Sequence, residues 1–273
     1  MKALRPLRSR RPLSFAWRAG LAVTSAMLGV FVWRAAAKEG PKPFDVELYT
    51  RGQRIFESQC IFCHGRYGRG DGEWSNVVKD RPRNLTTGIF KFRTTPMGFL
   101  PTEADLARTI RTGISGTMMP TFAKLSDSDL KGVIAYVKSF SNRWEDPKNY
   151  AEPVPIPDSP SWFGGPEAAA HVAAGGELFR QTCFTCHGPG GKGDGLAAKG
   201  LKDAWGNAIS PADLTQPHKS GSLPTDLFRT ISLGLDGTPM VGFRGTYSDE
   251  QIWNLVAFVF SLAPAPEEPA PSR

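Results

Sequence analysis

At 273 residues and 40% hydrophobic content, the chain is long enough for two ordinary domains, each with its own core. Its formal charge of +7 would suit an acidic partner, but residues 1–38 hold eight bases (Lys2, Arg5, Arg8, Arg10, Arg11, Arg18, Arg34, Lys38) and no acid, leaving 25 of the 33 bases against all 26 acids. A body of charge −1 excludes a nucleic-acid surface, because counterion release needs a basic face.

The chain opens on that basic stretch and continues into an apolar run from Ala19 to Trp33, then Arg34 and the small residues Ala35, Ala36 and Ala37. This pattern predicts an export segment over 1–38. Fifteen residues at about 1.5 Å each fall short of a ~30 Å bilayer core, which favours a cleaved signal peptide. Arg18, Trp33 and Arg34 suit the interface and the alanines lengthen the span, which favours a signal anchor. Either way the body lies in the periplasm or another extracytoplasmic space, tied to the inner membrane if the segment stays.

From residue 45 onward the sequence repeats. Gly52-Gln53-Arg54-Ile55-Phe56 before Cys60 matches Gly175-Gly176-Glu177-Leu178-Phe179 before Cys183, an offset of 123. Leu106 to Ile110 matches Leu227 to Ile231, and Gly116-Thr117-Met118-Met119 matches Gly237-Thr238-Pro239-Met240, both offset by 121, so length changes are confined to the loop between. Each unit reads as helix, long loop, short helix, loop, helix, with no alternating strand pattern, which predicts an all-α fold. Ser126 and Ser248 open the last helices as N-terminal caps, followed by Leu130, Val133, Ile134, Val137 and by Ile252, Leu255, Val256, Val259 at helical spacing. The units are expected at 45–143 and 171–263. Six prolines between Pro147 and Pro166 predict an extended linker over 144–170, and 264–273 reads as a disordered tail.

The only four cysteines stand as Cys60-Ile61-Phe62-Cys63-His64 and Cys183-Phe184-Thr185-Cys186-His187, the spacing of covalent haem attachment. Two thiols three positions apart can add to the vinyl groups of one haem edge, and the adjacent histidine then reaches the iron. A disulfide in each pair, a zinc ribbon or a thioredoxin-like site explains less: none accounts for a histidine after both second cysteines in separate repeats. A second axial ligand is expected from Met119 and Met240, 55 and 53 residues past His64 and His187 in matching contexts. Met118 competes with Met119, and the repeat favours Met119. Met97 reads as packing and His218 as a solvated loop histidine. Gly68 to Gly72 and Gly191 to Gly195 lack the strand and Lys-Ser/Thr ending of a phosphate loop and read as tight turns.

With these motifs the chain resembles the class I cytochromes c, twice in tandem. The resemblance implies two helical domains, each wrapped around a covalently bound haem c. It also implies a glycine–aromatic crossing of first and last helices (Gly52 and Phe56 on Tyr136; Gly175 and Phe179 on Phe258). A proline carbonyl, from Pro82 or Pro211, would receive the axial histidine's N–H. Two sites closed by methionine favour an electron carrier between a redox donor and acceptor over an enzyme. A haem-bearing subunit of a membrane respiratory complex fits the same layout, while a di-haem peroxidase would need one iron left open.

Overall fold

The computed structural model describes residues 45–263, which form helices joined by long loops, with two isolated β-bridges (Lys202–Ala208, Arg244–Tyr247) and no strand among them. The all-α expectation holds. Expectations for 1–38 and for 264–273 lie outside the described residues. Among the described residues no helix is long and apolar enough to cross a membrane.

The first repeat begins with α1 (Val46–Gln59), capped by the Asp45 carboxylate accepting from the Leu48 amide at 2.9 Å. The short α2 (Ile61–His64) follows at once and carries Cys63 and His64. After a long loop come α3 (Glu103–Thr112), opened by a reciprocal Thr102–Asp105 capping box, and α4 (Asp127–Lys138), whose Ser126 cap accepts from the Asp129 amide. Helices α1 and α4 cross so closely that a Cβ on Gly52 would stand 1.9 Å from the Gly132 carbonyl oxygen and 3.0 Å from Tyr136 Cβ. Only glycine fits there. One turn on, Phe56 is 1% exposed and packs on Tyr136 and Phe140 with ring centroids 5.3 and 5.2 Å away. Truncating such a ring costs about 3–5 kcal/mol.

The second repeat copies this frame with α5 (Ala168–Leu178), α6 (Phe184–His187), α7 (Pro224–Leu233) and α8 (Asp249–Leu262). A Cβ on Gly175 would meet the Asn254 carbonyl oxygen at 1.9 Å, and Phe179 packs on Phe258 at 5.0 Å. The turn from Phe179 to Cys183 is a π-helix, whereas Cys60 is reached by an ordinary bond from its amide to the Phe56 carbonyl. Trp162 and Phe163 from the proline-rich segment cover this core, and His171 stacks on Trp162 at 3.6 Å while its Nδ1 lies 2.8 Å from Asn254 Oδ1. The stretch expected as an extended linker instead carries 3-10 turns at Asn142–Glu145 and Pro147–Asn149 and runs into α5 at Ala168; only 151–160 lacks any regular element, and there the Val154 amide donates to the Thr94 carbonyl at 2.7 Å.

The two repeats meet through loops of unequal length. From the histidine of each Cys-x-x-Cys-His motif to the loop residue it contacts is 19 residues in the first repeat and 25 in the second. From Leu85 to Asp105 is 20 residues, against 12 from Leu214 to Asp226. So the second repeat is six longer in one loop and eight shorter in the next, and both excess stretches lie in the seam. Arg93, its side chain wholly buried, places Nε 3.0 Å from the buried Asp236 carboxylate and donates to the Leu233 carbonyl at 3.2 Å. Asp236 also accepts from the Gly98 amide at 3.0 Å, and the Met97 methyl group lies against Gly234. Trp205, from the long loop, lies under the Arg83 guanidinium at 4.7 Å.

Candidate functional site

Cys60 closes α1, Cys63 and His64 sit on α2, and Met119 lies in the loop after α3; all four line one cavity. Its other walls are mainly apolar, including Leu85, Phe90, Leu106, Ile110 and Val133. Thiols, an imidazole and a thioether facing an apolar space are the donor set of a c-type haem, and the residues fit the group. Burial, then the neighbouring Cys63, pushes the Cys60 thiol up to about 11, and burial beside Cys186 does the same to Cys183. None of the four cysteines is bridged to another.

The histidines are set the same way in both repeats. His64 Nδ1 lies 3.1 Å from the Arg83 carbonyl, and His187 Nδ1 lies 3.2 Å from the Ala212 carbonyl. A carbonyl only accepts, so Nδ1 carries the hydrogen and Nε2 keeps a free lone pair for a metal. Burial also holds both imidazoles below their ordinary pKa, although the carbonyl contact acts the other way. Each ring sits 6.4 Å from its buried phenylalanine, Phe56 or Phe179. The acceptor is the residue after the expected proline in both cases. The Pro82 and Pro211 carbonyls instead face Gly70 and Gly193, where a Cβ would stand at 2.5 and 2.6 Å, and those glycines adopt φ of 73° and 75°. Their amides donate to the His64 and His187 carbonyls at 2.9 and 2.8 Å, so the glycine turns fasten the histidine helices to the loops.

The methionine loops also superimpose bond for bond. The Met119 amide donates to Thr117 Oγ1 at 3.2 Å and its carbonyl accepts from the Ile114 amide; Met240 does the same with Thr238 at 3.2 Å and with Leu235. Met118 is 64% exposed, and Pro239 takes its place in the second repeat. His218 departs from the solvated reading: its Nε2 is buried without a partner, and its ring packs on Phe260 at 5.3 Å. Sequence reasoning passed over Arg83, Lys91 and Lys219, which also line the first cavity. The signal was there in part, since Ala212 in place of Arg83 marks a position where the repeats differ.

The family described as cytochrome C oxidase, cbb3-type, subunit III matches the chain twice, over residues 47–137 and 170–259. The cbb3-type cytochrome c oxidase subunit CcoP of Rubrivivax gelatinosus is 28% identical over 221 residues, 80% of this chain and 56% of that protein. Subunit FixP of Azorhizobium caulinodans is 30% identical over 98 residues, 36% of this chain and 29% of that protein. The chain thus spans little more than half the length of the first of these relatives and under a third of the second. Among solved structures, a chain of the Kuenenia stuttgartiensis reducing HAO-like protein complex Kustc0457/Kustc0458 is 35% identical with a TM-score of 0.69, covering 78% of this chain and 96% of that one. With the family matched once in each repeat, around each attachment motif, the chain belongs to the cbb3-type cytochrome c oxidase subunit III family and is a di-haem c-type cytochrome with two tandem class I domains.

Proposed function

We propose that the chain relays single electrons through its two haems, between a redox donor and a redox acceptor outside the cytoplasm. The observation that carries this is the duplicated site: a histidine fixed through Nδ1 and a methionine held by the same threonine and carbonyl contacts, in both repeats. Each haem, when bound, supplies a one-electron iron couple. Cys60, Cys63, Cys183 and Cys186 are assigned to thioether attachment, and His64 with Met119 and His187 with Met240 to the axial positions. The Arg83 and Ala212 carbonyls hold the imidazoles in one orientation and increase their donor strength. With His64 and Met119, and His187 with Met240, holding the two haems, a bound haem would supply a raised-potential one-electron couple with both ligand positions taken by protein, which supports a carrier role over catalysis.

Residues 45–143 and 171–263 are assigned as the two haem domains, 144–170 as their linker and 1–38 as the signal or anchor. The names of the relatives support a place as the haem-bearing subunit of a respiratory membrane complex. Purification of the full chain from native membranes tests both readings. Two haems per chain that resist acid-acetone extraction, together with co-purifying redox subunits, are the expected result. Extractable haem ends the attachment assignment, and turnover of peroxide at enzymatic rates ends the carrier assignment. Met119→Ala and Met240→Ala should each remove part of the sulfur–iron charge-transfer absorption, and Met118→Ala none.

A further inference from the structure

The first cavity carries charge that attachment and axial ligation leave unused. Arg81, Arg83, Lys91 and Lys219 stand on its walls against one carboxylate, Asp80. Lys219 belongs to the second repeat and crosses the seam to Asp80, Nζ to Oδ1 2.7 Å. Arg83 is spent on no carboxylate; it lies over Trp205, and Asp203 and Asp236 act on it only at a distance. Lys91 is half-buried, and among the described residues its ammonium has neither an ion pair nor a hydrogen bond. Burial, then the charges of Arg83 and Lys219, push it down to about 8. Cations gathered on an apolar cavity without counter-charge are costly unless an anion joins them.

A haem brings two carboxylates, its propionates, on the side of the macrocycle away from the thioether bonds. We propose that Arg83, Lys91 and Lys219 form the clamp that receives the propionates of the first haem, so that the second repeat completes the first repeat's site. This rests on the haem assignment above. With Asp80 the wall holds four cations and one anion, and two propionates bring the balance close to neutral. At the matching turn of the second repeat Ala212 replaces Arg83, and the lysine of the following stretch there, Lys219, is the one that crosses to Asp80 of the first repeat. Positive charge beside a haem opposes the extra charge of ferric iron and raises its potential, so the clamp makes the two haems unequal and lets the seam set the difference.

The test is potentiometric titration of the full di-haem protein after its haem count is measured. Lys91→Met and Lys219→Met should each lower the midpoint of one haem only, by about a tenfold change in its reduction constant, ~59 mV for one electron. Lys219→Arg should keep the wild-type midpoint. In Cys60→Ala/Cys63→Ala, which lacks the first haem, Lys219→Met should leave the remaining midpoint in place. Unchanged midpoints in both lysine variants overturn the clamp, even where Lys219→Met lowers the melting temperature, since that result makes Lys219 a fastening for Asp80 alone. Equal shifts of both haems also overturn it. A wild-type count below two haems per chain overturns the haem assignment instead, which keeps the two failures apart.

Discussion

In the first repeat Arg83 offers its carbonyl to His64 and lays its guanidinium on Trp205; in the second, Ala212 offers the same carbonyl to His187 and projects only a methyl group. The methionine loops differ in the same manner. Asp236 reaches back to Arg93 and Gly98, while Ser115 occupies its place in the first repeat. Two copies of one frame are therefore joined by unlike faces: the loops of the first repeat that carry Arg83 and Arg93 meet both the histidine-side loop (Trp205) and the methionine-side loop (Asp236) of the second. A two-fold join would have kept the sites equivalent, whereas a heterologous one gives each haem its own surroundings.

The strongest way to break the comparison is to empty one copy. Cys60→Ala/Cys63→Ala and Cys183→Ala/Cys186→Ala should each leave one haem per chain, measured by the pyridine haemochrome method. Loss of both haems from either variant would mean that the copies do not load separately. Next in size comes the seam. Arg93→Met leaves the buried Asp236 carboxylate without its cation, at a cost of about 3–5 kcal/mol, while Arg93→Met/Asp236→Leu should recover most of it. Denaturant unfolding followed by tryptophan fluorescence checks this, and an Arg93→Met midpoint equal to wild type would remove the pair from any role in holding the copies together.

A smaller effect separates the matching carboxylates of α3 and α7. Burial alone would raise the Asp105 pKa, but donation from the Thr94 and Thr102 amides, Arg108 and the Thr94 hydroxyl holds it below the usual carboxylate range. Among the described residues the Asp226 carboxylate accepts only from the Leu223 amide at 3.3 Å and from Arg229 at 2.8 Å. Asp105→Asn should thus cost about 1.5–3 kcal/mol at pH 7, and Asp226→Asn less. Because the folded pKa of Asp105 lies below its unfolded value, its contribution is present above about pH 4 and is lost as pH falls through the folded pKa. Wild-type and Asp105→Asn stabilities, measured by thermal unfolding across acid pH, should converge there; parallel curves would contradict the depressed pKa.

What could be read from the sequence follows from distance along the chain. The attachment motifs, the serine caps and the glycine–phenylalanine crossing are local patterns repeated at a fixed offset, so each copy served as a check on the other. Arg93 and Asp236 have no counterparts in the other repeat, lie in loops, and meet across 140 residues or so, where neither periodicity nor alignment speaks. His171 has no equivalent in the first repeat to announce it; it is held by stacking on Trp162, with its Nδ1 2.8 Å from Asn254 Oδ1. Pro82 and Pro211 mark the turn, but the carbonyls that meet the histidines are those of Arg83 and Ala212, because a turn fixes which carbonyl faces inward only once its partner glycines are folded against it.

The smallest expected effect lies in the caps of α4 and α8, where the copies look most alike. Ser248 and Gln251 form a closed box: the Gln251 amide donates to Ser248 Oγ at 3.2 Å, and the Ser248 amide donates to Gln251 Oε1 at 2.9 Å. Ser126 accepts from the Asp129 amide at 3.1 Å, and Asp129 is also reached by Arg51 of α1 at 3.3 Å. Ser248→Ala should cost about 1 kcal/mol, the usual loss for an N-cap, and should do so equally in low and high salt because no charged group takes part. Ser126→Ala removes the hydroxyl that does most to hold the Asp129 carboxyl below its ordinary pKa, so its cost should shrink as salt screens the remaining attraction to Arg51. Thermal unfolding of both variants at two ionic strengths separates them. An equal salt response would show that the ion pair to α1 adds nothing to the α4 cap, leaving the two ends alike in energy as well as in shape.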